Sequence, residues 1–371
     1  MRFLTANYLF PLHKAPIKEG VLQISDKGEV IALFENRNKI PQNKLEVFNG
    51  IICPGFVNAH CHLELSHLLG VIEKGKGFLD FAAKVQQRNT FAKDEIQIAI
   101  NKAEQQMIAN GIVGVGDICN TEDTLFQKQK GNLQYYNFTE TFQVHDDKID
   151  DAIQASIFLK NQFRKANLKT TIVPHAPYSV PPRMMRKIAE LIDEKDVLLT
   201  IHMQETSEEN KLFEKKEGPF LNWLGSINAS SEIWEKRNNS HDIIEELDKY
   251  KILLVHNTFA KKENITDNYY CTCPKANLYI ENAVPDYSIF DTDKLCVGTD
   301  SLASNNSLSI LEELQIIRKN SNFDLNTLLK IASKNGAEVL GFEKLGTFER
   351  GKIPGVNLIN REFTQFNQVI I

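Results

Sequence analysis

Apolar and polar positions follow two different patterns along this chain. Before residue 50 the pattern is short. Apolar runs fall at 3–10, 20–25 and 30–35, separated first by Pro11 and Pro16 and then by the turn Asp26-Lys27-Gly28. No helical period is visible there, so these runs predict a small β unit. After residue 50, short apolar runs alternate with amphipathic segments. The runs lie at 51–58, 112–118, 133–138, 171–174, 197–201, 252–255, 269–272 and 295–297. Helical patterns cover 78–88, 94–109, 147–164, 182–194, 241–250, 308–319 and 325–335, and Gly111 supplies a stop for the second. Eight strand-like runs that alternate with helices imply parallel pairing through βαβ units. Eight such units close naturally into a (β/α)8 TIM barrel, for which about 250 residues is typical. From about Gly346 the chain returns to short β-like pieces around Gly351, Pro354 and Gly355. The expected fold class is therefore α/β. Residues 51–345 form the barrel, and residues 1–50 with 346–371 form a composite β-sandwich domain. The strandless, charge-rich stretch 206–251, with Gly218-Pro219 and Gly225, predicts a helical excursion over the active face and a candidate lid.

Composition narrows the class of function. The chain has 371 residues, 42% hydrophobic and 25% charged, with a net charge of -5. These proportions suit a globular protein. No basic block is present, which argues against nucleic acid as the main partner, because phosphate binding needs clustered Lys and Arg. No apolar run approaches the roughly 20 residues that span a bilayer. The N-terminal apolar stretch is broken by Asn7, Pro11 and His13, a poor signal peptide. The six cysteines are scattered, and Cys271 and Cys273 read as buried thiols in a strand. A reducing cytoplasm is the expected home. The expected partner is a small-molecule substrate, with no membrane; a homodimer is an allowed state.

The polar residues at the ends of the apolar runs carry the chemistry. The stretch P-G-F-V-N-A-H-C-H-L-E-L-S, residues 54–66, puts His60 and His62 two apart, where side chains of an extended chain share a face. Glu64 follows them. The second run offers Asp117, the third Glu140, the fourth His175, the fifth His202 with Glu205 three residues on, the sixth His256, and the eighth Asp300. A lone histidine after an apolar run is more often a hydrogen-bonding residue than a ligand, and a lone Asp after Gly is usually a turn residue. Six of the nine histidines belong to the series if His67 is counted; His13, His145 and His241 lie elsewhere. Successive strand ends in a barrel converge on one face. Three neutral imidazoles and a carboxylate suit one divalent metal, Zn²⁺ above all and Fe²⁺ or Mn²⁺ less distinctively, with His60, His62, His202 and Asp300 as candidate ligands. Such a metal acidifies water. His256 would hydrogen-bond that water, Asp300 would take its proton, and Glu205 would protonate a ring nitrogen and then a leaving amine.

These residues resemble a family. P-G-F-V-N-A-H-C-H, H-A-P-Y-S, H-M-Q-E, V-H-N and V-G-T-D-S, in this order, are similar to the metal-dependent amidohydrolase superfamily. The resemblance covers nearly the whole chain. It is strongest to the aminohydrolase branch that holds cytosine, guanine, S-adenosylhomocysteine and aminofutalosine deaminases. H-x-H-L-E-L-S with the later G-P-F-L-N-W-L looks most like the aminofutalosine deaminases. The resemblance implies hydrolytic deamination of an aminopurine or related heterocycle, such as an adenosine-type nucleoside. It also implies a mononuclear site, because His175 stands where two-metal members carry a carboxylated lysine, and a substrate contact for His175. Glu64 is a candidate contact to a sugar hydroxyl or ring N–H. Phe78, Phe81 and Arg88 are either pocket or core and surface residues. The segment 273–280 departs from the family pattern by carrying Lys275 and Ala276 where many relatives have smaller polar residues. Two other readings stand beside deamination: cleavage of a cyclic amide, imine or C–Cl bond by the same scaffold, and an inactive binding barrel.

Overall fold

The computed structural model describes residues 1–192, 197–229 and 239–370. Eight parallel strands carry the site: Phe56–Cys61, Ile112–Cys119, Gln134–Thr141, Thr170–Pro174, Leu198–Met203, Lys251–His256, Tyr269–Thr272 and Leu295–Val297. The first four pair in sequence order, as do the last four. Backbone bonds join the two sets at both edges. His202 N donates to His175 O at 2.9 Å, and Thr299 N and Asp300 N both donate to His60 O at 3.1 Å. The strands thus follow one another in cyclic order. Nearly all their residues are buried, as expected where strands are covered on both faces.

The junction of the first and eighth strands is tight. A Cβ at Gly298 would stand 2.6 Å from the His60 carbonyl oxygen, so only glycine lets the two backbones meet. Asn58 bolts the same junction. Its amide nitrogen donates to Thr299 Oγ1 at 2.7 Å and its oxygen accepts from Thr299 N at 3.0 Å. His60 and Asp300, one on each side of this junction, are thereby held face to face.

Two further sheets are built from both chain ends. One orders the strands Val30–Phe34, Val21–Ile24, Arg2–Thr5 and Leu45–Val47; the other orders Phe366–Val369, Val356–Ile359, Ile51–Pro54, Tyr8–Leu9 and Ile17–Lys18. Leu4, Leu22, Ile52, Phe348 and Val356 share one apolar core between them. Two apolar runs therefore divide. The run 3–10 becomes two strands in different sheets, and the run 51–58 breaks at Gly55, with Ile51–Pro54 pairing Val356–Ile359 while Phe56–Cys61 pairs Ile112–Cys119. Apolar content cannot locate such a break, because both halves are fully buried.

The helices start where local chemistry permits. Asp324 Oδ1 accepts from Thr327 N at 2.8 Å, and Thr206 Oγ1 from Glu208 N at 3.3 Å. Pro182 and Pro219 occupy first helical positions. Gly111, at φ 75°, follows Lys93–Ala109. Boundaries depart from the sequence reading in several places. The 78–88 pattern is α-helical only over Phe78–Val85 and continues as a 3-10 turn over Gln86–Thr90. The 241–250 pattern is a 3-10 run over Ser240–Leu247. The 325–335 pattern continues through a π turn to Leu340. The helix expected over 182–194 covers Pro182–Glu190, and residues 193–194 lie outside the described residues. The excursion 206–251 holds the helices Ser207–Lys215 and Pro219–Ser226; its residues 230–238 lie outside the described residues. Among the described residues no helix is long and apolar enough to cross a membrane.

Candidate active site

His60, His62, His202, His256 and Asp300 converge at one end of the strands, all buried. The alternation of an extended chain brings His60 and His62 to one side, and their Nε2 atoms lie 3.2 Å apart. His202 Nε2 lies 3.2 Å from His62 Nε2. Asp300 Oδ1 is 3.6 Å from His60 Nε2 and 3.4 Å from His62 Nε2. Four donors at bond lengths of 2.0–2.1 Å in a tetrahedron stand about 3.3 Å from one another. These four separations match that spacing; His60, His62 and His202 form one close group of donors, and Asp300 stands in a second with His60 and His256. The protonation of the donors also fits. Burial pushes the His62 imidazole down to about 3 and His202 well below its usual range, so both are neutral near pH 7. His202 Nδ1 lies 2.9 Å from the His175 carbonyl, which takes an N–H and leaves the Nε2 lone pair facing His60 and His62. Burial alone would raise the Asp300 carboxyl; His60 and His62 hold it below the usual carboxylate range. Ser304 Oγ donates to its second oxygen.

Glu205 and His256 stand beside this set. Glu205 Oε1 is 3.6 Å from His256 Nε2. Burial pushes the Glu205 carboxyl well above the ordinary range, and Asp300 adds to the effect, which favours its protonated form. His256 Nδ1 donates to Asn277 Oδ1 at 2.8 Å, which leaves Nε2 as an acceptor with no hydrogen-bond partner among the described residues. Three of these strand ends turn through left-handed backbone, at Gln204 (φ 48°), His256 (φ 69°) and Asp300 (φ 55°). Such conformations are costly for non-glycine residues and persist where surrounding structure holds them. For Gln204 the holding group is Glu209, whose buried Oε1 accepts from Gln204 N at 3.0 Å. Phe259 N donates to Gln204 O at 3.1 Å and ties the fifth strand end to the sixth.

A cavity of about 330 Å³ opens over this set. Phe78, Tyr178, Phe220 and Trp223 form one wall, with the Tyr178 and Phe220 rings stacked at 4.6 Å. Phe220 and Trp223 come from Pro219–Ser226, in the excursion read as a candidate lid. Arg88, Asn120 and Glu140 form a polar wall of the same cavity. His175 lines the cavity, its Nδ1 2.6 Å from Ser179 Oγ. Phe81 lines the same cavity and packs into the core as well. Glu64 is placed differently. It is buried behind the wall, with Oε1 taking Arg88 Nη1 at 3.2 Å and Oε2 taking Asn120 N and Thr121 N at 2.9 and 3.0 Å. Burial raises its carboxyl to about 7, which Arg88 opposes. His67 donates from Nε2 to the Arg88 carbonyl at 3.1 Å, away from the cavity. In 273–280 the site residue is Asn277; Lys275 instead donates to Ser307 Oγ at 2.7 Å.

Asp117 does not reach the cavity. It pairs with the buried Lys128, Nζ to Oδ2 2.5 Å, and its Oδ1 accepts from Leu63 N at 2.8 Å, so it fixes the chain just after His62. Burial works against the Lys128 ammonium, but Asp117 more than offsets it and the pKa is raised. Lys128→Met leaves a buried carboxylate without its cation, an expected loss of about 3–5 kcal/mol. Urea unfolding checks this, and adding Asp117→Asn should recover part of the loss.

The Amidohydrolase family description matches residues 51–369. The chain belongs to the amidohydrolase family. Its members hydrolyse with the help of a metal, and the His60, His62 and His202 cluster is where this amidohydrolase offers one a site. The chain is 27% identical over 350 residues to an adenosine deaminase of Helicobacter pylori, covering 90% of this chain and 85% of that protein. It is 23% identical over 360 residues to an aminodeoxyfutalosine deaminase of a Nitratiruptor species, covering 93% and 88%. In fold it is similar to the crystal structure of Helicobacter pylori aminofutalosine deaminase in complex with methylthio-coformycin, with a TM-score of 0.84, 23% identity, and 100% and 98% of the two chains covered.

Proposed function

We propose that this amidohydrolase is a metal-dependent hydrolytic deaminase of an adenosine-type nucleoside. The observation that carries the reading is the pairing of Glu205 with His256 at 3.6 Å beside the four-donor set. A hydrolase of amides needs no acid for a ring nitrogen, whereas deamination of a purine does. The relatives named above point the same way, as adenosine-type deaminases.

Residues 51–345 are read as a (β/α)8 barrel and residues 1–50 with 346–371 as a composite β-sandwich. His60, His62, His202 and Asp300 would hold one divalent metal, Zn²⁺ by the chemistry of three imidazoles and a carboxylate. A bound cation supplies Lewis acidity, so that water is deprotonated near neutral pH. The Nε2 of His256 accepts a hydrogen bond from the attacking water and orients it at the amine-bearing carbon. Asp300 accepts the water's proton. Glu205 gives its proton to a ring nitrogen, which draws charge from the carbon under attack; it then takes up the hydroxyl proton of the adduct and passes it to the departing ammonia, and the proton held by Asp300 restores the Glu205 carboxyl. His175 and the aromatic wall hold the base, and Glu64 acts on the substrate by fixing Arg88 at the cavity edge. The six buried thiols fit a reducing cytoplasm.

The test is ammonia release from a panel of adenine nucleosides, with guanine and cytosine alongside. Turnover of adenine nucleosides with a one-for-one yield of ammonia and the hypoxanthine product is expected. Hydrolysis of cyclic amides or chlorotriazines with no ammonia from any amino-heterocycle would overturn the reading.

A further inference from the structure

Three carboxylates line the cavity: Glu205, Asp300 and Glu140. The first two belong to the reacting end, and the reaction leaves the third without work. Glu140 lies on the third strand, at 7% exposure. Its Oε2 accepts from Asn120 Nδ2 at 3.2 Å. Asn120 in turn accepts from Arg88 Nη1 on its Oδ1 at 3.3 Å, which fixes the orientation of the amide. The Arg88 charge is answered by Glu64, whose own oxygens are otherwise filled by the backbone N–H groups of Asn120 and Thr121. Glu140 Oε1 is the member left over. It is buried and has no hydrogen-bond partner among the described residues.

A buried carboxyl oxygen without a donor is costly, and because Glu140 lines the cavity the missing donor points to a ligand group at that wall. A second cation is a poor candidate for that place. Glu140, His175 and His202 stand close enough to suggest one. His202, however, has no lone pair left for it: Nε2 faces His60 and His62, and Nδ1 carries the proton that the His175 carbonyl takes. Glu140 Oε1 lies 3.4 Å from that same Nδ1, which is spent on the shorter bond.

We propose that Glu140 is a specificity-determining residue whose Oε1 accepts a hydrogen bond from a sugar hydroxyl of the nucleoside. The inference rests on the deaminase reading. It assigns the hydroxyl and not the base because the reacting edge of the base belongs to Glu205 and His256, on the fifth and sixth strand ends. The faces of the base meet the aromatic wall of Phe78, Tyr178 and Phe220. Glu140 sits instead in the polar wall with Asn120 and Arg88. That wall, with Arg88 neutralised by Glu64, carries a surplus acceptor. It selects a neutral donor and repels an anionic group such as a sugar phosphate.

The test is a cycle between protein and substrate. Wild type, Glu140→Ala and Glu140→Gln are assayed with adenosine, 2′-deoxyadenosine and 3′-deoxyadenosine. The readout is the ratio of kcat/KM for each deoxy substrate to that for adenosine within one variant, so a loss of metal or of folded protein common to all substrates cancels. In wild type, removal of the contacted hydroxyl should lower kcat/KM by about ten- to a hundredfold, as for a hydrogen bond to a charged group. In Glu140→Ala the same removal should cost less than about threefold, and Glu140→Gln, which keeps an acceptor oxygen, should fall between. Equal ratios in wild type and Glu140→Ala for both deoxy substrates, or no loss with either in wild type, would overturn the assignment while leaving the deaminase reading intact. A wild type that releases no ammonia from adenosine or either analogue sinks the deaminase reading, and this inference with it.

Discussion

Glu205→Gln should keep its metal and lose roughly a thousandfold or more in kcat. The substitution is nearly isosteric and leaves every candidate metal ligand in place. It removes the ionisable proton that burial, and then Asp300, favour on the native carboxyl by pushing its pKa well above the ordinary range. A general acid placed against a ring nitrogen contributes about 10²–10⁴ to the rate, and this one is asked to act twice, on the ring and on the leaving amine. The pH profile gives an independent sign. The protonated form is the active one, so turnover in wild type should fall as pH rises through the raised pKa of Glu205, and that limb should vanish in the residual activity of the glutamine variant. Metal per chain, measured by elemental analysis on the same sample, separates this outcome from loss of the site. A variant with full metal and a near wild-type rate would remove Glu205 from the chemistry and leave His256 as the residue to examine.

The cluster of His60, His62, His202, His256 and Asp300 and the strand order were legible because successive parallel strands write them at fixed places. His60 and His62 are two apart on an extended chain, and each later polar residue follows an apolar run, so alternation and order together carry the signal. What lay hidden was of three kinds. Breaks inside fully buried runs leave no polar mark, which is why Gly55 divides 51–58 between two sheets without a change in hydropathy. Residues that act through another group look ordinary in sequence. Asn277 sets the His256 tautomer from a helix start, Ser304 holds Asp300, and Glu209 holds the left-handed turn before Glu205. Polar residues at strand ends, finally, split by which way the strand presents them. Glu140 faces the cavity, whereas Asp117, on the neighbouring strand, turns to Lys128 and the Leu63 backbone. Glu64 shows the same ambiguity. It lies two residues past His62, but the 3-10 turn Leu63–Leu68 aims it behind the wall, at Arg88.

His202→Ala should strike the metal site itself. Its Nε2 stands 3.2 Å from that of His62, and without it the donor set falls to two imidazoles and Asp300. A tetrahedral site that retains three protein ligands still binds metal in catalytic proteins, so the expected result is a weakened site and not an absent one. Removing a group that merely orients a ligand costs 10–100-fold in metal affinity; removing the ligand should exceed that, by chelator competition on protein whose circular dichroism matches wild type. His175→Ala is the discriminating partner. His175 touches His202 through its backbone carbonyl, at 2.9 Å from Nδ1, and alanine keeps that carbonyl. The metal should therefore stay in His175→Ala while substrate binding weakens, since the ring lines the cavity. Unchanged metal affinity in His202→Ala would show the ligand set to be wrong. Loss of metal in His175→Ala would move the ring of His175 from the substrate side of the site to the metal side.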